Sequence, residues 1–268
     1  MPQGEQLAGA SRADSPIGQV SVRCLGDFEV TIGGERLARF GSGKARALLQ
    51  YLLNHPNQTV SRGVLIGALW PDPDAGAAGS SLRVAVHALR RMLHDVPADE
   101  VGLSIEGNST GYQLSVNDLW LDVDEFTRCC ARGRELKANN QHADSIAEYA
   151  RAATLYRGDY LDGANEAWVQ VRREGLKDQY VFVLELLAET ALDRGDYEGC
   201  ILHSLQLLEQ DRWRESTYRM LMDCHARLGQ RGRVRSWYEL CAQTLRSELD
   251  IAPDEQTEAL YQRAMGAV

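Results

Sequence analysis

The sequence predicts an α+β winged helix-turn-helix followed by an all-α tetratricopeptide-like helical array. Three observations predict it. Short alternating stretches flank three amphipathic helical stretches in the first 117 residues. Everything beyond Asp118 carries helical periodicity. Two glycine-marked turns, at Gly195 and Gly229, lie 34 residues apart, the period of a helix-pair repeat.

The elements justify themselves in order. Residues 1–19 are rich in Gly, Ala, Ser and Pro, lack an apolar core, and read as a tail rather than a signal peptide. Val20 to Thr31 alternates apolar and polar residues and reads as one strand, followed by a Gly33-Gly34 turn and a short second strand. Ser42 is a candidate N-cap for a helix from about Lys44 to Asn54, closed by Pro56 and Asn57. Ser61 caps a second helix, RGVLIGALW, which stops at Pro71-Asp72-Pro73. A Gly/Ala loop then leads to a third helix starting at Ser80 or Ser81, LRVAVHALRRMLHD. Residues 103–116, LSIEGNSTGYQLSV, form a hairpin about Gly107, Asn108 and Gly111. The first domain is thus placed at 20–117. The second, 118–268, holds helices at 122–139, 142–156, 166–194, 197–210, 214–228, 231–248 and 254–265.

Charge separates the two halves. The chain carries a formal net charge of −9, which on its face argues against a nucleic-acid partner. Nearly all of it lies in 118–268, whereas 20–117 is neutral. Residues 44–94 hold Lys44, Arg46, Arg62, Arg83, Arg90 and Arg91 against only Asp72 and Asp74. Such a local excess suits a phosphate backbone. The acidic half has to face other partners.

On the third helix, Leu82, Ala85, Val86, Leu89, Met92 and Leu93 share one side, and Ser80, Arg83, Val84, His87 and Arg91 share the other, with Arg90 beside them. A charged outer face is the default of any amphipathic helix. The preceding helix and the following hairpin turn it into a candidate reading head, because a major groove admits one helix and rewards Arg against guanine and small apolar groups against thymine methyls. Arg83, Val84 and His87 are the candidate base contacts. Lys44, Arg46, Arg62, Ser80, Ser81, Arg90, Arg91, Asn108 and Thr110 are the candidate phosphate contacts. The hairpin tip, Asn108 to Thr110, carries no Lys or Arg, and Tyr112 reads as a packing residue.

Competing chemistries fit less well. Gly41-Ser42-Gly43-Lys44 suggests a phosphate loop, but the full pattern needs Gly where the sequence has Ala38 and Ser or Thr where it has Ala45. Cys200, His203, Cys224 and His225 lack the tight cysteine knuckles of structural zinc. Trp168, Trp213 and Trp237 with Tyr180, Tyr218 and Tyr238 fill helix-pair cores or line a concave ligand groove. The six cysteines, none in a CxxC pair, read as buried, reduced thiols of a cytoplasmic protein. No catalytic constellation, metal site or cofactor is expected, and no stretch is long and apolar enough to span a membrane.

The runs VSRGVLIGALWPD, SSLRVAVHALRRML and GYQLSVN resemble the OmpR/PhoB-type DNA-binding domain of the Streptomyces antibiotic regulatory protein family. LDVDEF, AATLYRGDYLDG, Trp168, RESTYRMLMDCHARLGQ and LRSELDIAPDEQ resemble that family's bacterial transcriptional activation domain. The resemblance covers about residues 20–266. It implies an activator that binds direct repeats near the −35 region as a pair of protomers and recruits RNA polymerase through the sigma factor and other subunits. It places the recognition helix at 80–93 and the wing at 105–113 and implies control of antibiotic or other pathway genes. The family's Gly is replaced by Asp250 ahead of the Pro253 turn, so the loop there is expected to differ. The alternative is a helical-repeat scaffold for protein partners, without specific DNA binding.

Overall fold

The computed structural model describes residues 20–37, 43–71, 75–94 and 102–266. The expected tail at 1–19 and the expected cap Ser42 lie outside the described residues. Two compact units divide the chain, the first including residues up to Asp124 together with Leu161–Val169, the second comprising Glu125–Tyr160 and everything from Gln170 onward.

In the first unit the stretch read as one strand is two. β1 (Val20–Arg23) and β2 (Glu29–Ile32) pair antiparallel, Val20 opposite Ile32. Gly26 makes the reversal at φ 95, where a side chain would be strained, and Leu25 and Phe28 on either side of it are buried. β3 (Glu35–Arg36) follows across a turn in which Gly33 and Gly34 both have positive φ, the geometry that suits a two-residue hairpin. α1 (Gly43–Leu52) buries Ala45, Leu48, Leu49 and Leu52. β4 (Val60–Ser61) leads into α2 (Arg62–Leu69), where Ser61 is the expected cap and accepts a hydrogen bond from Val64 N–H.

α3 (Ala75–His94) starts five residues before the expected Ser80. The loop expected there is helix, because its alanines favour the helical backbone and no proline follows Pro73. Ser81 sits inside the helix, its hydroxyl donating to the Ala77 carbonyl one turn back (3.0 Å). β5 (Leu103–Gly107) and β6 (Gly111–Val116) form the expected hairpin, and β4 adds to β6, giving the order β4-β6-β5. β7 (Leu119–Leu121) then runs parallel to β1 and completes a second sheet, β3-β2-β1-β7.

The expected boundary at 117/118 is therefore not where the units part. Backbone pairing carries the chain past it: Val20 N–H donates to the Asp118 carbonyl (3.0 Å), and the buried Asp122 carboxylate accepts from the N–H groups of Cys24 and Leu25 at 2.8–3.0 Å. Leu161 also returns to this unit, donating its N–H to the Cys24 carbonyl (2.7 Å). Its φ of 48 is strained for a branched side chain, and complete burial of that side chain helps to offset the cost.

The remaining helices follow the expected spans closely: α4 (Asp122–Ala138), α5 (His142–Leu155), α6 (Ala167–Asp193), α7 (Tyr197–Gln210), α8 (Glu215–Arg227), α9 (Arg231–Leu249) and α10 (Glu255–Gly266). One device recurs at their ends. At Asn140, Gly195 and Gly229 a left-handed residue lets the next N–H reach back five residues, as in Asp196 to Ala191 (2.9 Å) and Gln230 to His225 (2.8 Å). Asp250 is left-handed as well, at φ 55, a conformation that glycine adopts without strain. α7 packs on α8, α8 on α9, and α10 against both α8 and α9. Tyr218, Cys241 and Leu245 form a core with Trp237 packed against it, and Tyr156 stacks on Tyr180 with ring centroids 4.0 Å apart. All six cysteines are buried.

Candidate nucleic-acid interface

The interface candidate is built on α3. Its inner face, Leu82, Ala85, Val86, Leu89 and Leu93, is buried. That fixes the helix against the unit and forces the opposite face outward. Ser80, Arg83, Val84, His87, Arg90 and Arg91 are all exposed. Val84 is 67% exposed and offers an apolar surface between Arg83 and His87. Arg83 is steadied by a hydrogen bond to Ser80 Oγ (3.2 Å) one turn earlier.

The hairpin lies against this helix through Arg90, whose Nε donates to the Ile105 carbonyl of β5 (3.0 Å). Arg90, an expected phosphate ligand, thus also fastens α3 to the hairpin. Arg62 is likewise engaged. Its two terminal nitrogens donate to the carbonyls of Asn108 and Ser109, both at 2.6 Å, and its guanidinium lies 5.2 Å from the Tyr112 ring centroid. The wing tip has no basic residue of its own, and Arg62 supplies a cation there. Sequence spacing gave no sign of this pairing, because 46 residues separate the partners.

Other expected phosphate ligands have work inside the fold. Asn108 Oδ1 accepts from Thr110 N–H, Thr110 Oγ1 and Gly111 N–H, and its Nδ2 donates to Thr59 Oγ1. The Asn108 amide and the Thr110 hydroxyl proton thus build the turn and do not project from it. Lys44 Nζ donates to the Leu69 carbonyl at the end of α2 (2.6 Å), lies 3.9 Å from Glu166 and sits over the Trp70 ring. Arg46 lies over Phe28, 5.4 Å from its centroid. The hydroxyl proton of Ser81 goes to Ala77. These five are placed by the structure as scaffold. Arg83, Val84, His87 and Arg91 remain as one outward face.

Gly111 and Asn57, read from the sequence only as turn residues, make two long-range contacts that hold this face in register. Gly111 stands where β4 crosses β6, and a Cβ there would come 2.0 Å from the Val60 carbonyl oxygen. Asn57, left-handed at φ 60, closes the turn after α1 by exchanging two side-chain hydrogen bonds with the Val116 backbone (2.8 and 2.9 Å). A lone asparagine in a Pro-Asn turn signals the conformation but not its distant partner.

The fold and this geometry define a winged-helix transcriptional regulator joined to a helical activation domain. The bacterial transcriptional activator domain matches residues 121–264, and the model for "transcriptional regulatory protein, C terminal" matches 40–114. The chain belongs to the bacterial transcriptional activator domain family, with the architecture of the Streptomyces antibiotic regulatory proteins, and is a transcriptional regulator. It is similar to the transcriptional regulatory protein MoaR1 of Mycobacterium tuberculosis, 27% identical over 251 residues, covering 92% of this chain and 80% of that one. MoaR1 of Mycobacterium bovis is similar to the same extent. In fold it is similar to Mycobacterium tuberculosis EmbR, solved in complex with a low affinity phosphopeptide, with a TM-score of 0.69 and 24% identity over 93% of this chain. The chain spans 65% of that EmbR chain. Among the described residues no helix is long and apolar enough to cross a membrane.

Proposed function

We propose that this chain is a sequence-specific DNA-binding activator that lays α3 in the major groove. Arg83 and His87 hydrogen-bond base edges, and Val84 covers a thymine methyl. Arg91, with the remaining N–H groups of Arg90 and Arg62, holds phosphates on either side. The observation that carries the reading is the exposed Arg83–Val84–His87 triplet on a helix whose opposite side buries Leu82, Ala85, Val86, Leu89 and Leu93. The resemblance to the activator family supports the rest: binding of direct repeats near the −35 region as a homodimer, recruitment of RNA polymerase holoenzyme through sigma and other subunits, and control of secondary-metabolite or other pathway genes in the cytoplasm. The acidic helical unit suits protein partners better than DNA, since like charge repels the phosphate backbone.

The test is footprinting of the promoter regions beside the chain's own gene with wild type and Arg83→Ala. The variant is expected to keep its far-UV circular dichroism and melting temperature and to lose the footprint, with at least about tenfold weaker specific binding, the scale of one bidentate base contact. Wild-type binding is expected to weaken linearly in log–log terms as salt rises. A salt-independent signal, or a footprint retained by folded Arg83→Ala, overturns the assignment.

A further inference from the structure

The winged-helix unit contains a cavity of about 1080 Å³ that the DNA reading does not use. Three pieces of chain wall it. One is a stripe of α1, Gly43, Arg46, Ala47 and Gln50, which lie three, four and seven residues apart and so share one helical face. The second is the end of α2, at Leu69, with Pro71 beyond it. The third is the segment from Asp162 to Trp168, which belongs to this unit and not to the helical one. α1 and α2 both pack on α3, so the cavity adjoins the two helices that support the reading head.

Two polar groups of the wall have no partner among the described residues. Gln50 is 4% exposed. Its backbone carbonyl accepts from Asn54 Nδ2 (2.8 Å), but its side-chain amide makes no hydrogen bond. Trp168 Nε1 is buried and likewise unmet, while the Tyr51 ring packs edge-on against the Trp168 ring, with centroids 5.1 Å apart. Buried donors and acceptors are normally paired, because an unmet one forfeits its hydration. The charges of the wall, in contrast, are matched. Lys44 and Arg46 stand with Asp162 and Glu166, two of each sign. Lys44 Nζ is engaged by the Leu69 carbonyl and lies 3.9 Å from Glu166. Much of the remaining lining is small and apolar, as at Ala47, Ala68, Ala164 and Ala167.

We infer that this cavity binds an uncharged, ring-fused organic molecule carrying a cyclic amide. A primary amide offers two donors and an acceptor, so Gln50 can meet the N–H and the carbonyl of a lactam together. The Trp168 indole N–H serves a further acceptor on the same molecule. The alanines and the apolar end of α2 take the rings. The volume is at the upper end for small-molecule sites, which leaves room for a ring system beside the amide. An anion gains little there, since both basic residues of the wall are matched by acidic ones. The inference is independent of the DNA reading and holds equally for Arg83→Ala.

The probe is 2-quinolinone, a benzene ring fused to a lactam. N-methyl-2-quinolinone, which lacks the lactam N–H, and inorganic phosphate are the controls. The full chain is labelled with nitrogen-15 at its indole groups, which gives five signals, one for each tryptophan. Trp168→Phe identifies the signal of interest. That signal is expected to move downfield in a saturable way, with a dissociation constant of about 1 mM or lower, the range for a ligand of this size. Methylation is expected to weaken binding by about fivefold, Gln50→Leu by about tenfold, and Trp168→Phe, followed on the ligand's own signals, by about threefold. Phosphate is expected to leave the signal in place. The other four indole signals report whether each variant keeps its fold, and if Gln50→Leu does not, Trp168→Phe and the methylated control decide. No saturable shift up to about 3 mM, a shift with phosphate instead, or equal affinity across both ligands and the folded variants overturns the inference.

Discussion

The winged-helix unit and the helical unit are held together by different kinds of bond. In the first, the decisive contacts join residues far apart in sequence. Asp122 closes on the amides of Cys24 and Leu25, Arg62 on the wing carbonyls, and Asn57 on Val116. In the second, helix ends are settled locally, by a left-handed residue and a hydrogen bond reaching five residues back. The difference teaches where tolerance lies. A locally closed helix pair survives the loss of one contact, whereas a small mixed sheet depends on a few crossings with no substitute.

Substitution at Gly111 breaks the comparison most directly. Gly111→Ala places a methyl 2.0 Å from the Val60 carbonyl, so β4 has to leave β6. A loss of about 3 kcal/mol is expected in the first unit. Hydrogen exchange followed by mass spectrometry is expected to show lost protection in β4–β6 and unchanged protection in α7–α9. Equal loss in both units would mean that they do not open independently.

A smaller effect comes from Asp122→Asn. The amide keeps the size but turns an N–H group toward backbone donors that now meet a carboxylate. About 2 kcal/mol is expected to be lost from the first unit, read as a lower urea midpoint for hydrogen-exchange protection of β1 and β2. The smallest effect has the opposite sign. Asp250→Gly removes a side chain from a left-handed position and is expected to stabilise the helical unit by about 0.5 kcal/mol, a gain of a degree or two in its melting temperature.

The same contrast explains what could be read in advance. The helices from α4 to α10 were legible to within a residue or two, because amphipathic period and turn residues are local signals. The outward face of α3 was legible for the same reason. β4 and β7 were not, since two or three residues carry no period and their partners lie about fifty and a hundred residues away. The contacts that Lys44, Arg62 and Asn108 make within the fold were not legible on similar grounds. Charge and polarity show that a side chain can meet a phosphate, but not that a carbonyl of its own fold has taken the donor first.

The parallel pairing of β7 with β1 bears on how the reading head can be isolated. A fragment cut at residue 117 would strip β1 of its neighbour and bare the donors and acceptors along one side of a buried strand. Such an unprotected edge recruits any extended chain it meets. A fragment of that length should precipitate or pair with itself, and its failure to recognise a promoter would say nothing about α3. An excised head needs at least the residues through Asp124, and Leu161 to Val169 belong to its core as well, so it is better studied in the whole chain.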